Sequence, residues 1–265
     1  GSLYMLGAYA GALAASKIGG FWLAVPAALV AAGLVGAAME LFVVRRLYAR
    51  DHLSQVLATF GLILFFNGAI AWGVGRSPLQ MDMPALLSGF VEIIPGLPYP
   101  TYRLAVMAVG VAVALGLWYV IARTRLGMLI RAGSDKREMV SALGVDIAGL
   151  FTLVFGLGAL LAGLAGVMVG PIRSVQIGMG EQVLITTFVV IVVGGIGSIR
   201  GAFVGALLIG MCDTLGRAFA PMLLKLWLSG PLADGLGAAL SSIMIYLVMA
   251  VALVVRPRGL FPAGG

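Results

Sequence analysis

The chain has 265 residues, of which 62% are hydrophobic and 10% are charged, and its net charge is +7. So few charged residues could not cover a soluble domain of this length, whereas helices need runs of about 20 apolar residues to cross a bilayer. The composition therefore excludes a soluble protein and predicts an all-α, polytopic transmembrane helical bundle. The positive charge fits the Lys and Arg bias of cytoplasmic membrane loops, so we infer membrane lipids, and no nucleic acid, as partners.

Residues that carry enzyme or metal chemistry are scarce. A single Cys212 excludes an intrachain disulfide, and a single His52 leaves no ligand set for a metal. The sequence contains no plausible catalytic set and no phosphate-binding loop of the form G-x-x-x-x-G-K followed by Ser or Thr. We therefore expect no enzyme, no metal site and no cofactor in this chain. The lack of a chain of acidic residues inside the apolar runs also argues against a proton-coupled carrier.

Apolar runs between charged and proline-rich segments predict about seven spans within one permease domain, 1–265. One run is broken, and we expect it to cross the membrane twice. The total is then seven only if the short first run is not counted as a span. The chain starts at Gly1 without an initiator Met, which suggests that the natural protein extends further towards its N-terminus. In chain order the runs are Leu3–Ser16, Phe21–Val44, Leu53–Val74, Tyr102–Ala122, Ile147–Val169, the broken Val183–Ala220, and Ala238–Val255.

The positions of Lys and Arg predict the orientation, since positive residues beside span ends stay in the cytoplasm. Most of the 17 Lys and Arg residues fall beside alternate span ends, provided that Val183–Gly195 and Gly201–Ala220 are separate passes. This alternation predicts that the loop 123–146 and the C-terminus are cytoplasmic.

The loop 76–101 is the main external loop of this prediction. It contains five prolines, which cannot continue either flanking helix. We interpret it as a rigid connector or, alternatively, as a landing surface for an external partner. In the second case Asp82 and Glu92 would offer complementary negative charge.

The loop 123–146 concentrates charge in a chain that otherwise carries little. Asp135 and Glu138 have the spacing of an N-terminal capping box, and Gly144 suits a left-handed C-terminal cap, so we predict a helix of about two turns. A helix this short is marginal in water and would need another surface to persist, such as a partner's groove. The alternative is a solvated loop. An apolar stripe with flanking cations would comprise Met139, Val140, Leu143, Lys136 and Arg137.

Polar residues inside the apolar runs are candidates for a solute pathway, because they should face protein or water rather than lipid. A hydrogen bond between helices is the alternative role for each of them. The candidates are Gln55, Thr59 and Asn67, which share one broad face of a helix by their spacing, and Gln182, Thr186 and Thr187.

Charged residues in the runs have a structural interpretation. Asp213 and Arg217 are four residues apart and should pair with each other. Glu40 should have a similar interfacial role beside Arg45 and Arg46.

A glycine-rich stretch interrupts the broken run. Gly194 and Gly195 can end a helix and free backbone groups to face a pathway, while Gly197, Gly201 and Gly205 recur every four residues and could let another helix approach closely. Simple helix packing is the alternative role for the whole stretch.

Four short motifs span the chain from end to end. They are Leu3-Tyr4-Met5-Leu6-Gly7-Ala8-Tyr9; Arg131-Ala132 with Asp135, Met139, Ser141 and Leu143-Gly144-Val145; Gly194-Gly195-Ile196-Gly197-Ser198-Ile199 with Gly201-Ala202; and Arg256-Pro257-Arg258-Gly259-Leu260-Phe261. In this combination and order the sequence resembles the high-affinity branched-chain amino-acid permeases of ATP-binding-cassette importers. Members of that family have another transmembrane helix before the first motif, which is missing here.

The resemblance implies a permease subunit that forms the pathway for branched-chain or other small amino acids in a bacterial-type inner membrane. It implies that the helix at Asp135–Leu143 couples to two cytoplasmic ATPase subunits, which bind ATP and Mg and hydrolyse the ATP. Further implied partners are a second homologous or identical permease and an extracytoplasmic substrate-binding protein. A passive channel or facilitator for small neutral solutes such as urea or amides, and a structural membrane scaffold, are the competing interpretations.

Overall fold

The computed structural model describes residues 1–48, 50–94, 97–135, 137–225, 230–257 and 259–261. It divides into two compact units, Gly1–Gln182 and Val183–Gly265. The single permease domain over 1–265 therefore stays a prediction, and each unit is described by itself.

Helices dominate both units, which confirms the predicted all-α class. Two short π-helical segments, Ala15–Gly19 and Glu40–Val44, extend the first two helices, and the second continues to Leu47. The helices are α1 (Ser2–Ala14), α2 (Phe21–Met39), α3 (His52–Gly73), α4 (Thr101–Arg123), α5 (Arg125–Asp135), α6 (Arg137–Ala142), α7 (Ile147–Val169), α8 (Met179–Gly194), α9 (Ile199–Leu224) and α10 (Gly230–Val255).

Six helices in the described part of the chain are long and apolar enough to cross a membrane. They coincide with the predicted runs, and the predicted break lies between α8 and α9. At 16 residues, α8 is apolar but shorter than a full span. The six are Phe21–Leu47, His52–Gly73, Thr101–Arg123, Ile147–Val169, Ile199–Leu224 and Gly235–Val255.

The core of the first unit is a contact among α1, α2 and α7 that small residues make possible. A Cβ added to Gly163 would lie 2.4 Å from the Ala32 Cβ, and one added to Gly36 would lie 2.2 Å from the Ala159 Cβ. Gly7 of α1 meets the backbone of Gly163 in the same way, at 2.4 Å. Small residues at helix contacts let backbones approach closely, which is how membrane helices gain packing energy without a hydrophobic driving force.

Glu40 lies in this core, so its predicted interfacial role beside Arg45 and Arg46 is wrong. Its side chain is 0% exposed, and the Thr152 hydroxyl of α7 donates a 2.7 Å hydrogen bond to its Oε2. The reason is spacing: Ala28, Ala32 and Gly36 are buried on α2 at steps of four residues, and Glu40 is the next step along that face.

The loop 76–101 contains a β-hairpin that the sequence did not indicate. Strand β1 (Phe90–Ile94) pairs antiparallel with β2 (Leu97–Pro100), with Phe90 opposite Pro100. Prolines are tolerated because this two-stranded sheet consists of edges only. An isolated bridge between Leu79 and Val175, closed by two hydrogen bonds of 2.9 Å, joins the loop to the segment after α7.

In the second unit, Val189 and Val193 of α8 and Ile209 of α9 form a buried cluster. Apolar residues of α10 pack against it, namely Ile245, Val248, Met249 and Ala252. The predicted pair is present on α9, where Arg217 Nε donates to Asp213 Oδ1 at 2.8 Å.

Candidate functional site

The loop 123–146 folds into α5 and α6, and the second of these is the predicted short helix. Gly144 adopts φ +84°, the Gly144 N–H donates to the Ser141 carbonyl (3.0 Å), and the Val145 N–H donates to the Val140 carbonyl (3.4 Å). These two bonds form a Schellman motif, so Gly144 caps the helix as predicted. A capped helix therefore stands between α5 and α7.

The three predicted stripe residues differ in their surroundings. Met139 is 62% exposed and Leu143 is 82% exposed, whereas Val140 is only 7% exposed. Val140 thus anchors α6 to the rest of the unit, while Met139 and Leu143 remain open to solvent or a partner. Lys136 and the side chains of Asp135, Arg137 and Glu138 lie outside the described residues, so the capping box stays a prediction.

Helix α5 was not predicted, although its start carries a readable signal. The Thr124 side-chain oxygen accepts a hydrogen bond from the Gly127 N–H at 3.3 Å, which is N-cap geometry. Arg131 on α5 donates to the Ile121 carbonyl of α4 (2.6 Å), and Ala132 beside it is half-buried. Arg131 therefore holds α5 against the end of α4, in addition to any role towards a partner.

The connection from α6 into α7 is short and well bonded. Asp146 caps α7, since its Oδ1 accepts from the Gly149 N–H at 3.1 Å. Thr152, which bonds Glu40, lies less than two turns further along α7. The segment after α6 is therefore linked through α7 to Glu40 in the core shared with α2.

Two of the pathway candidates satisfy backbone carbonyls. The Gln55 amide donates to the Leu47 carbonyl (3.0 Å) and the Arg50 carbonyl (3.1 Å), which closes the turn before α3. The Thr59 hydroxyl lies within reach of the Gln55 and Val56 carbonyls of its own helix. On α8, the candidates Gln182, Thr186 and Thr187 are exposed.

Asn67 has a different environment, because its Nδ2 donates to Oε1 of Glu181 across two helices. Its amide oxygen, Oδ1, and the second carboxylate oxygen of its partner, Glu181 Oε2, are buried and have no hydrogen-bond partner in the described part of the chain. Asn67 lines a cleft of about 450 Å³ together with Gly68, Ala71, Arg76, Pro78, Gln176 and Ile177.

The walls of this cleft are fixed by the bridge between Leu79 and Val175, since Arg76 and Pro78 precede Leu79 and Gln176 follows Val175. Sequence reasoning missed Glu181, Arg76 and Gln176. An acidic residue at the start of an apolar helix was the available signal for Glu181, because ionisable groups in such positions are rare.

The glycine-rich stretch forms a tight turn and a close helix contact. Gly195 and Gly197 have φ values of +107° and +84°. A Cβ added to Gly201 would lie 2.1 Å from the Gly194 carbonyl oxygen, and one added to Gly205 would lie 2.7 Å from the Val190 carbonyl oxygen. Gly201 and Gly205 therefore pack α9 on α8, whereas Gly197 belongs to the turn and not to this contact.

Two carbonyls at the end of α8 accept hydrogen bonds from the C-terminal segment, which favours the alternative packing role for this stretch. The Leu260 N–H donates to the Val193 carbonyl (2.9 Å), and the Phe261 N–H donates to the Gly194 carbonyl (3.0 Å). Gly259, with φ +79°, lets this C-terminal segment approach to within van der Waals distance of Gly195. Hydrogen bonds thus join the glycine-rich motif to the C-terminal motif, although the two are far apart in sequence.

Comparison with known proteins gives whole-chain matches. The family described as "Branched-chain amino acid transport system / permease component" matches residues 1–253. The BraD permease of the high-affinity branched-chain amino acid transport system of Pseudomonas aeruginosa is 27% identical over 98% of this chain and 83% of its own length. The corresponding LivH permease of Escherichia coli is 28% identical over 97% of this chain and 85% of its own length.

A sugar permease is also similar. The ribose import permease RbsC of Escherichia coli is 30% identical over 78% of this chain and 65% of its own length. No solved structure shows significant similarity to the chain. The chain therefore belongs to the family of permease components of branched-chain amino acid transport systems.

Proposed function

We propose that this chain forms the translocation pathway of an ATP-binding-cassette importer for branched-chain or other small amino acids, and that α6 couples it to the ATPase subunits. The observation that carries the proposal is the exposure of Met139 and Leu143 on a capped helix that is anchored through Val140. Large apolar side chains presented on a short polar loop favour a protein partner.

The family and the apolar helices define the setting. The chain is a polytopic permease of the bacterial-type inner membrane. Its relatives are permease subunits, which are not themselves enzymes. We assign ATP and Mg to the partner ATPases, because the sequence carries no phosphate-binding loop.

The proposed assembly contains two cytoplasmic ATPase subunits, a second homologous or identical permease and an external substrate-binding protein. Membrane lipid covers the remaining apolar surface. The orientation inferred from Lys and Arg puts α6 on the cytoplasmic side, where an ATPase groove could receive it. It puts the hairpin β1–β2, with Asp82 and Glu92 exposed, on the side from which a binding protein would dock.

The substrate assignment follows from the relatives' names. BraD and LivH are named for branched-chain amino acids and RbsC for ribose, and the two amino acid permeases match more of this chain. Small amino acids are therefore the proposed substrates.

The test is mass spectrometry of the proteins that co-purify with the full-length protein from native membranes in mild detergent. The double variant Met139→Asp/Leu143→Asp should lose ATPase subunits that the wild type retains. Leu86→Asp is the matched control, because Leu86 is a large exposed apolar residue on the external loop. Absence of ATPase subunits from the wild type, or their retention by the double variant, would contradict the coupling assignment.

A further inference from the structure

The cleft beside Asn67 holds unused hydrogen-bonding capacity. Asn67 Oδ1 and Glu181 Oε2 are both acceptors, both buried, and both without a hydrogen-bond partner among the described residues. Buried polar atoms are usually satisfied, so two unsatisfied acceptors joined by one hydrogen bond indicate a missing donor. The group that suits two such acceptors, one of them a carboxylate oxygen, is a cation with several N–H donors.

Arg76 adds a positively charged hydrogen-bond donor to the same cleft. Its guanidinium is always charged and can bind a carboxylate through two parallel hydrogen bonds. Arg76 is exposed and lines the cleft together with Asn67, and no ion pair joins it to a carboxylate in the described part of the chain. The cleft lining therefore combines Arg76 with Asn67, which connects it to Glu181 through one hydrogen bond.

Given the proposed function, on which this inference rests, we propose that the cleft is a binding site for the zwitterionic backbone of an α-amino acid. Glu181 Oε2 and Asn67 Oδ1 accept hydrogen bonds from the ammonium group, and Arg76 binds the carboxylate. The volume of about 450 Å³ lies within the range of ~300–1,000 Å³ for small-molecule sites.

Two structural features prepare the site. Glu181 lies in the first turn of α8, where the helix dipole stabilises a carboxylate. The bridge between Leu79 and Val175 fixes the two segments that carry Arg76 and Gln176, so little ordering is left for the ligand to induce.

The side chain of the amino acid would meet a less polar wall. Ala71, Pro78 and Ile177 line the cleft beside the polar groups. This combination of an ammonium site, a carboxylate site and an apolar wall suits aliphatic amino acids better than sugars, which carry neither charge.

The experiment measures binding through the reactivity of a cysteine placed in the cleft. Gly68→Cys is introduced into full-length protein carrying Cys212→Ser, because Gly68 lines the cleft and an added Cβ there meets nothing within 4 Å. Membranes containing the complete importer are treated, without ATP, with a methanethiosulfonate reagent. The rate of labelling is measured with and without a mixture of L-leucine, L-valine and L-alanine, or a mixture of the same compounds without their amino groups.

The amino acids should slow the labelling, and the deaminated acids should not. Adding Glu181→Gln should weaken the protection about tenfold or more, the loss expected for a hydrogen bond to a charged group. Glu92→Gln, which changes an exposed carboxylate on the hairpin, is the matched control and should leave the protection unchanged.

Lack of protection by the amino acids, equal protection by the deaminated acids, or undiminished protection after Glu181→Gln would each overturn the site. Labelling needs no ATPase, so its outcome is independent of coupling. Protection that depends on Glu181 in a complex without ATP-driven uptake would contradict the proposed function alone. Uptake without such protection would contradict this site alone.

Discussion

Glu40 and Glu181 have the same bonding pattern in very different surroundings. Each carboxylate accepts one hydrogen bond from a neighbouring helix, from Thr152 and from Asn67 respectively, and each keeps a second, buried oxygen without a partner in the described part of the chain. Glu40 is enclosed by the small-residue contact of α2 and α7, whereas Glu181 borders an open cleft through Asn67. Open space beside an unsatisfied carboxylate therefore distinguishes a candidate ligand site from a packed core.

The largest expected effect comes from replacing a glycine by leucine, once in the packed core and once in the open cleft. Gly163→Leu should abolish folded protein, because even a Cβ there lies 2.4 Å from the Ala32 Cβ and 3.1 Å from the Ala28 carbonyl oxygen. Gly68→Leu should leave the fold intact and fill the cleft, since nothing lies within 4 Å of its added Cβ. Size-exclusion chromatography in detergent compares the yields. Equal yields of the two variants would contradict the difference in packing.

The next effect compares the two carboxylates directly. Glu40→Ala should lower the free energy of unfolding by about 2 kcal/mol or more, the usual cost of a cavity in a packed core. Glu40→Gln, of equal size, should cost less than half as much, and Glu181→Ala should cost less than Glu40→Ala because Glu181 is only half-buried. Thermal unfolding of the purified variants gives the comparison. A larger loss of stability for Glu181→Ala than for Glu40→Ala would contradict this prediction.

A smaller effect shows that open space alone does not make a glycine replaceable. A Cβ added to Gly144 would meet nothing within 4 Å, yet its φ of +84° should make Gly144→Ala cost about 1 kcal/mol. Gly61→Ala is the control, since Gly61 has equal space in the interior of α3 and a helical backbone, so alanine should be neutral or stabilising there. Hydrogen exchange of α6 and α3 measures the local effects. Faster exchange of α3 in Gly61→Ala would count against this explanation.

The smallest effect concerns a third carboxylate, fully hydrated, at the N-cap of α3. Hydrogen bonds from the Ser54 hydroxyl and then the Ser54 N–H lower the pKa of Asp51 below its ordinary value. Its contribution to stability is therefore complete above about pH 4 and is lost as pH falls through the lowered pKa. Melting temperatures between pH 6 and pH 3 should fall slightly more for wild type than for Asp51→Asn. Identical pH profiles would show that this cap does not affect stability.

The sequence was most predictive where one local rule decides the structure. Apolar runs located the long helices, and individual glycines located both the break between α8 and α9 and the cap at Gly144. Such features depend on hydropathy or on backbone conformations that few residues other than glycine adopt.

Prediction failed where partners distant in sequence decide the outcome. The four-residue steps from Ala28 to Glu40 could have placed Glu40 in the core, but charge alone suggested Arg45 and Arg46 instead. The bond between Asn67 and Glu181 joins residues 114 positions apart, and the carbonyls of Val193 and Gly194 are satisfied from the C-terminal segment. No local pattern specifies such pairs.

ATP-driven uptake of radiolabelled L-leucine, L-valine and L-alanine by the reconstituted importer tests the central claim most directly. Wild type and Leu86→Asp should accumulate at least one of these amino acids only when ATP is supplied, and Met139→Asp/Leu143→Asp should not, although it is inserted in equal amount. Accumulation that is independent of ATP, or unimpaired in the double variant, would contradict coupling through α6.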